Sequence, residues 1–259
     1  MRPPRFPPAP ARLRAPERTP SPPGPLGSGD GEGGPAQERW QAFHAFLAAR
    51  MNSRWVFRGC ASKAFECKPS AGRGAEFDPR HERQLFQDFK REARLHVAMP
   101  GATDWDWLAL GQHYGLPTRL LDWTTNPLIA CFFAVASQPA NEDAIVYAHP
   151  LGGSSMIDPE RGPGPFEIAE VGFLLPSALA PRIASQKGLF SAHPDPASAW
   201  TPPGMAENSF EIPRDTRAVF QRNLFQLGVD AAHIWASLEG VCLSLTWQYR
   251  LRIGLGAAL

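Results

Sequence analysis

The chain has 259 residues, 43% hydrophobic and 20% charged, a balance that provides for a real core. The formal net charge of +1 excludes the global basic excess that advertises nucleic-acid binding, and it implies no acidic partner. None of the four cysteines, Cys60, Cys67, Cys131 and Cys242, sits in a CxxC pair, so no metal site is expected, and no apolar run is long enough to span a bilayer.

Residues 1–36 are dominated by proline, glycine and arginine. Such a segment buries too little to offset its ordering entropy and is expected to be a disordered tail. Its arginines adjoin no apolar h-region, so no secretory signal is expected and the thiols are read as those of a cytoplasmic protein. The folded part is expected over 37–259. Trp40, Phe43, Phe46 and Leu47 recur at helical spacing and predict a first helix. WVFRGC, residues 55–60, reads as a strand closed by Gly59. A loop rich in Gly, Pro and Ser follows.

Residues 81–97 carry Leu85, Phe86, Phe89, Ala93 and Val97 on one helical stripe. Asp104 has the character of an N-cap for a helix ending near Tyr114, with Gly115 suited to the left-handed position after it. TRLLDW, residues 118–123, predicts a strand. Asn126 or Thr125 can cap the next helix, Pro127 fits its first turn, and PLIACFFAVAS is apolar nearly all round, so it should be buried. AIVYAH, residues 144–149, reads as a strand. Residues 150–166 are loop-like, two short strands are expected between 166 and 194, and 194–209 reads as structureless. Helices are expected at about 215–227 and 237–250. The elements alternate without a βαβ repeat, which predicts one α+β domain with a small mixed or antiparallel sheet flanked by helices.

Arg58 ends its strand beside a glycine. An arginine there can fork onto a phosphate or carboxylate, and Gly59 would let the anion approach the backbone. The competing reading is a structural ion pair with Asp122 or Glu82. On the following strand Thr118, Leu120, Asp122 and Thr124 share one face, and Arg119, Leu121 and Trp123 the other. Thr124 is expected to cap, and Asp122 to serve a site or a salt bridge. His113 and Tyr114 close a helix, where a histidine can simply cap carbonyls. The Gln186 amide could read a nucleobase edge or order a loop. GxSxG and Walker motifs are both missing from the sequence.

Three blocks give the chain a resemblance to the FRG-domain family. They are Trp55-Val-Phe-Arg58-Gly59, then Gln112-His-Tyr-Gly-Leu-Pro-Thr-Arg-Leu-Leu-Asp-Trp-Thr124 with Asn126-Pro127 and Ala130-Cys-Phe-Phe-Ala134, and then Arg182-Ile183, Gln186, Gly188 and Phe190. Leu227-Gly228-Val229 and Leu238-Glu239-Gly240 resemble the family's closing pattern, with Glu239 where aspartate is commoner. The family occurs mainly in bacteria and their viruses, and its company implies a toxin or anti-phage setting.

The order of elements is in turn similar to the ADP-ribosyltransferase fold. That similarity implies NAD as substrate, with Arg58 gripping the dinucleotide, Thr118 or Thr124 ordering the pocket, and Gln186 or Glu239 meeting the ribose or acceptor. The catalytic candidates are therefore Arg58, Asp122, Gln186 and Glu239. The nucleotide-binding candidates are Arg58, Gly59, His113, Tyr114, Thr118, Arg119 and Thr124. The alternative is a non-catalytic module for a nucleotide, RNA or protein, with tryptophans near Arg119 available for stacking.

Overall fold

The computed structural model describes residues 34–50, 55–74, 77–152, 156–176 and 186–253. Most of the tail expected over 1–36, and the Arg182-Ile183 pair, lie outside the described residues. Helix α1, Pro35–Ala48, starts on a proline at its first turn and buries Trp40, Phe43 and Leu47 along one face. Strand β1, Trp55–Cys60, matches its expected span.

Helix α2 is Pro79–Ala93, capped by Asp78, whose side chain accepts from the Arg80 amide. Helix α3 is Asp104–His113. Its N-cap is Thr103 rather than Asp104: Thr103 and Asp106 form a reciprocal capping box, and Asp104 is already in the helix. Gly115 takes the left-handed φ of 88° past the end of α3, as its position predicts.

Strand β2, Leu120–Thr124, leads straight into α4, Pro127–Ala136, whose cap is the Asn126 side chain accepting from the Leu128 amide. Strands β3, Ala144–Pro150, β4, Gly172–Leu174, β5, Gly188–Ala192, and β6, Ser209–Ile212, complete the sheet. Helices α5, Arg217–Gln226, α6, Ala231–Trp235, and α7, Leu238–Leu251, close the described chain.

The sheet order is β4-β5-β2-β1-β3-β6, and every neighbouring pair is antiparallel, so the fold is α+β with one antiparallel sheet. On one face, α1, α4 and α5 pack over β1, β3 and β6, joining Phe43, Phe57, Ile129, Val146, Ile212 and Phe220 in one core. Helices α2 and α3 build a second core over β2, β4 and β5 from Phe86, Trp105, Leu108, Leu120, Leu174 and Phe190. The opposite face carries Val56, Leu121, Trp123, Tyr147, Phe173 and Leu189, covered partly by Trp200 and Met205 from the loop before β6.

One buried cation organises the helical layer. The Arg217 guanidinium donates to the carbonyls of Ala134, Val135 and Ser137 at the C-terminus of α4, and to those of Ala61, Pro139 and Glu142. A cation at the negative end of a helix satisfies carbonyls that have no intrahelical partner. Burial in turn lowers the Arg217 pKa from its ordinary value.

Candidate functional site

The two central strands, β1 and β2, are paired only at Phe57 and Thr124. By contrast β1 runs beside β3 from Trp55↔Pro150 to Cys60↔Ile145, and β2 beside β5 from Leu120↔Ala192 to Thr124↔Gly188. Past Phe57 the central strands part, and a cleft of about 440 Å³ opens there, a size usual for small-molecule sites. Its walls come from Phe57 to Cys60 on β1 with Ala61 just after it, Asp122 to Thr124 on β2, and Gly188 to Phe190 on β5. The end of α3 at Gln112 and His113, Ala130 and Phe133 of α4, Arg73 and Gln186 also line it.

Arg58 spans the opening: its Nη1 donates to the Asp122 main-chain carbonyl at 2.6 Å. Its Nε is enclosed and has no hydrogen-bond partner in the protein. An enclosed charged donor without an acceptor is uncommon, because its lost hydration goes uncompensated. Burial, the largest influence on Arg58, favours the neutral form. Cys60, Asp122 and Cys67 outweigh it, so the guanidinium pKa is raised. Neither expected ion pair forms through the Arg58 side chain: the Asp122 contact is to its backbone, and Glu82 belongs to Arg119.

The Asp122 carboxylate is held from α3. Gln112 Nε2 donates to Asp122 Oδ2 at 3.1 Å, and Gln112 Oε1 accepts from Thr118 Oγ1 at 2.6 Å. Thr118 is itself fixed, since its amide donates to Ser70 Oγ and its hydroxyl accepts from the Leu120 amide. The exposed carboxylate of a half-buried strand is thereby given one orientation in the cleft.

A second guanidinium, that of Arg73, also lines the cleft. Its loop is pinned by Gly72, where a Cβ would stand 1.7 Å from the Pro196 carbonyl oxygen. Arg73 Nε donates to the Lys68 carbonyl. Burial, and after it the charge of Arg58, lowers the Arg73 pKa, while Asp122 works the other way. Sequence reasoning missed Arg73 because it sits in a Gly/Ser/Pro loop with no periodicity. It missed Gln112 as the carboxylate's partner because that contact joins separate elements.

The remaining candidates divide. Gly59 lines the cleft, but its reason for being glycine is packing: a Cβ there would lie 1.7 Å from the Ala130 carbonyl oxygen of α4. Thr124 Oγ1 donates to the Gln186 carbonyl at 2.7 Å and accepts from the Asn126 amide. Gln186 Nε2 donates to the Ile234 carbonyl, tying the start of β5 to α6. His113 lines the cleft with Tyr114 edge-on to it at 5.0 Å, and Tyr114 is exposed outside the lining.

Arg119 and Glu239 stand apart. Arg119 is 4% exposed and makes a bidentate pair with Glu82, Nε to Oε1 and Nη2 to Oε2, plus bonds to the His193 and Pro194 carbonyls. It pins α2 to the sheet and is not presented to a ligand. Glu239 is exposed in the first turn of α7, outside the cleft lining.

Behind the cleft, Trp123 Nε1 donates to Ser191 Oγ, which lies 2.9 Å from His193 Nε2. Burial, helped by Arg58 and Arg119, lowers the His193 pKa to about 4, so this imidazole is neutral at pH 7. Burial also raises the Cys67 thiol to about 11, with Arg58 opposing.

Residues 53–143 match the family model of the FRG domain. The chain carries an FRG domain. The match runs from just before β1 to the brink of β3, so the FRG domain model covers Arg58, Arg73, Gln112 and Asp122 together. Gln186 and β5 close the cleft from outside the matched stretch. No curated protein and no solved structure matches the chain. Among the described residues, no cluster of three or more His, Cys, Asp or Glu could hold a metal ion, and no helix is long and apolar enough to cross a membrane.

Proposed function

We propose that the cleft binds a nucleotide by its diphosphate and that the nucleotide is NAD, cleaved at the bond between nicotinamide and ribose. The observation that carries this reading is the Arg58 guanidinium, enclosed between the parted strands with Nε unpartnered and with Arg73 as a second cation on the same cleft. Two guanidinium groups against one carboxylate leave a net positive site inside a protein of nearly neutral charge. Guanidinium forks suit phosphate oxygens, and a site walled by Phe57, Phe133 and Phe190 strengthens such contacts by excluding water.

The reaction asks for a negative charge near the ribose carbon as nicotinamide leaves with the bonding electrons and water or an acceptor nucleophile bonds to that carbon, its proton passing to solvent. Asp122, oriented by Gln112, supplies a preorganised carboxylate for that developing cation. His113 and Gln186 line the same space and suit contacts to hydroxyl or amide groups.

The test is the melting temperature of the full chain with NAD and with ADP-ribose, joined to a nicotinamide-release assay. A ligand bound only by the folded state raises stability by mass action. A rise with both ligands, lost in Arg58→Ala, together with nicotinamide release, is the expected result. A rise without release would leave a nucleotide-binding module. No rise with either ligand would remove the dinucleotide reading.

A further inference from the structure

Besides the groups suited to a diphosphate, the cleft is lined by Phe65, Ser137 and Gln138. Phe65 belongs to the loop that leaves β1 and runs on to Arg73, and Gln138 to the turn that leaves α4. One side chain stitches the two segments together. Arg217 Nη1 donates to the Ala61 carbonyl at 3.2 Å and to the Pro139 carbonyl at 2.7 Å, and its Nη2 holds the Ser137 carbonyl at 2.7 Å. Carbonyls that share one nitrogen lie close, so the Phe65 loop and the Gln138 turn set out from a common point. The loop is anchored again by the Phe65 amide on the Ser62 carbonyl, the Lys63 amide on the Asp143 carbonyl and the Trp200 amide on the Cys67 carbonyl. Gln138 Oε1 accepts from the Ala140 amide at 3.1 Å, which fixes the orientation of the side-chain amide. Phe65 is 48% exposed, whereas Phe57 and Phe190 of the same cleft are 4% and 5% exposed. A bare phenyl ring on an anchored loop at a cleft wall is a stacking platform for a planar ring.

We propose that Phe65 and Gln138 form the subsite for the adenine of the nucleotide, Phe65 stacking on its face and Gln138 meeting its edge. This subsite presupposes that the cleft takes a dinucleotide by its diphosphate. The order of groups in NAD decides which base it receives. The carbon that loses nicotinamide sits at Asp122 on β2, and the diphosphate at Arg58 and Arg73. Adenosine is joined to the other end of the diphosphate. It therefore falls on the loop that carries both Arg73 and Phe65, away from the wall that carries Asp122. The amide of Gln138 matches adenine. Its Nε2 donates to ring nitrogen N7, and Oε1, which keeps a second lone pair, accepts from the neighbouring amino group. Hypoxanthine has an oxygen in place of that amino group, so two acceptors would face each other.

The experiment is titration calorimetry of the full chain with ADP, inosine diphosphate and inorganic pyrophosphate. Phe65→Ala, Phe65→Trp and Gln138→Ala are measured beside the wild type, and circular dichroism checks that each is folded. The expected result is that Phe65→Ala weakens ADP about tenfold or more, the usual effect of removing one aromatic from under a base. Pyrophosphate binding should stay as in the wild type, and Phe65→Trp should recover ADP. The wild type should prefer ADP to inosine diphosphate, and Gln138→Ala should erase that preference. Unchanged ADP affinity in Phe65→Ala overturns the subsite and leaves the diphosphate grip standing. An equal loss of pyrophosphate also overturns it, because Phe65 would then only support the loop. Equal affinity of the wild type for ADP and inosine diphosphate overturns the assignment to adenine. ADP binding that needs Phe65, in a protein that releases no nicotinamide from NAD, upholds the subsite and removes only the reaction. Binding of neither ADP nor pyrophosphate removes both.

Discussion

The Arg58 guanidinium reaches across the parting of β1 and β2 and donates to the Asp122 main-chain carbonyl. One hydrogen bond thus replaces the strand pairing that stops at Phe57↔Thr124. The same side chain holds the sheet together and presents charge to the cleft. Arg58→Ala is therefore expected to lose both. Removing the hydrogen bond to the exposed Asp122 carbonyl costs about 0.5–1.5 kcal/mol, read as a lower melting temperature. Stabilisation by ADP-ribose should vanish as well. A variant that melts lower yet keeps its full ligand-induced shift would make Arg58 purely structural.

Asp122→Asn separates binding from chemistry. Asparagine keeps an oxygen to accept from Gln112 Nε2, so the geometry of the wall is retained. The negative charge is removed. Melting temperature and ADP-ribose binding are expected to stay close to wild type, while nicotinamide release falls on the order of 100-fold, the usual cost of removing one preorganised electrostatic partner. Equal turnover in the variant would take Asp122 out of the mechanism.

The elements of this fold were legible because their signals are local. The spans of β1 and β3, and the buried all-round character of α4 behind Asn126-Pro127, follow from side-chain type and spacing. Strand β6 was missed because Ser209–Ile212 is short and follows a Pro-rich stretch, and its partner β3 lies far back in the chain. The five-residue α6 is too short for periodicity to register. For the site, alternation along β2 correctly put Asp122 and Thr124 on one face. Whether an arginine serves a ligand or another side chain is settled by tertiary distance. Arg58 and Arg119 both sit in polar blocks of the sequence, yet Arg119 is consumed by Glu82 and Arg58 is left with an unpartnered nitrogen.

That contrast gives a prediction for α2. Glu82→Gln leaves the Arg119 guanidinium buried against a neutral partner. Breaking one side of a buried pair costs about 3–5 kcal/mol. Chemical denaturation should show a loss of that size. At a temperature where the variant is still folded, ligand binding should be unchanged, since neither residue lines the cleft. A loss of binding beyond the loss of folded protein would tie this ion pair to the site.

His193 predicts how stability falls in acid. In the unfolded chain it takes a proton near its ordinary pKa of 6.5. In the folded chain burial holds it neutral until about pH 4. Between those values the unfolded state binds the extra proton, so stability declines as pH drops from about 6.5 to 4 and this contribution is flat below. At 1.36 kcal/mol per pKa unit, the part lost between pH 7 and 5 is roughly 2 kcal/mol. His193→Gln removes the titrating group and can keep a hydrogen bond to Ser191 Oγ, the atom 2.9 Å from the imidazole. The variant is expected to be less stable than wild type at pH 7 but to lose less between pH 7 and 5, measured by urea unfolding at both. Identical losses in the two proteins would mean that His193 is not held neutral by the fold.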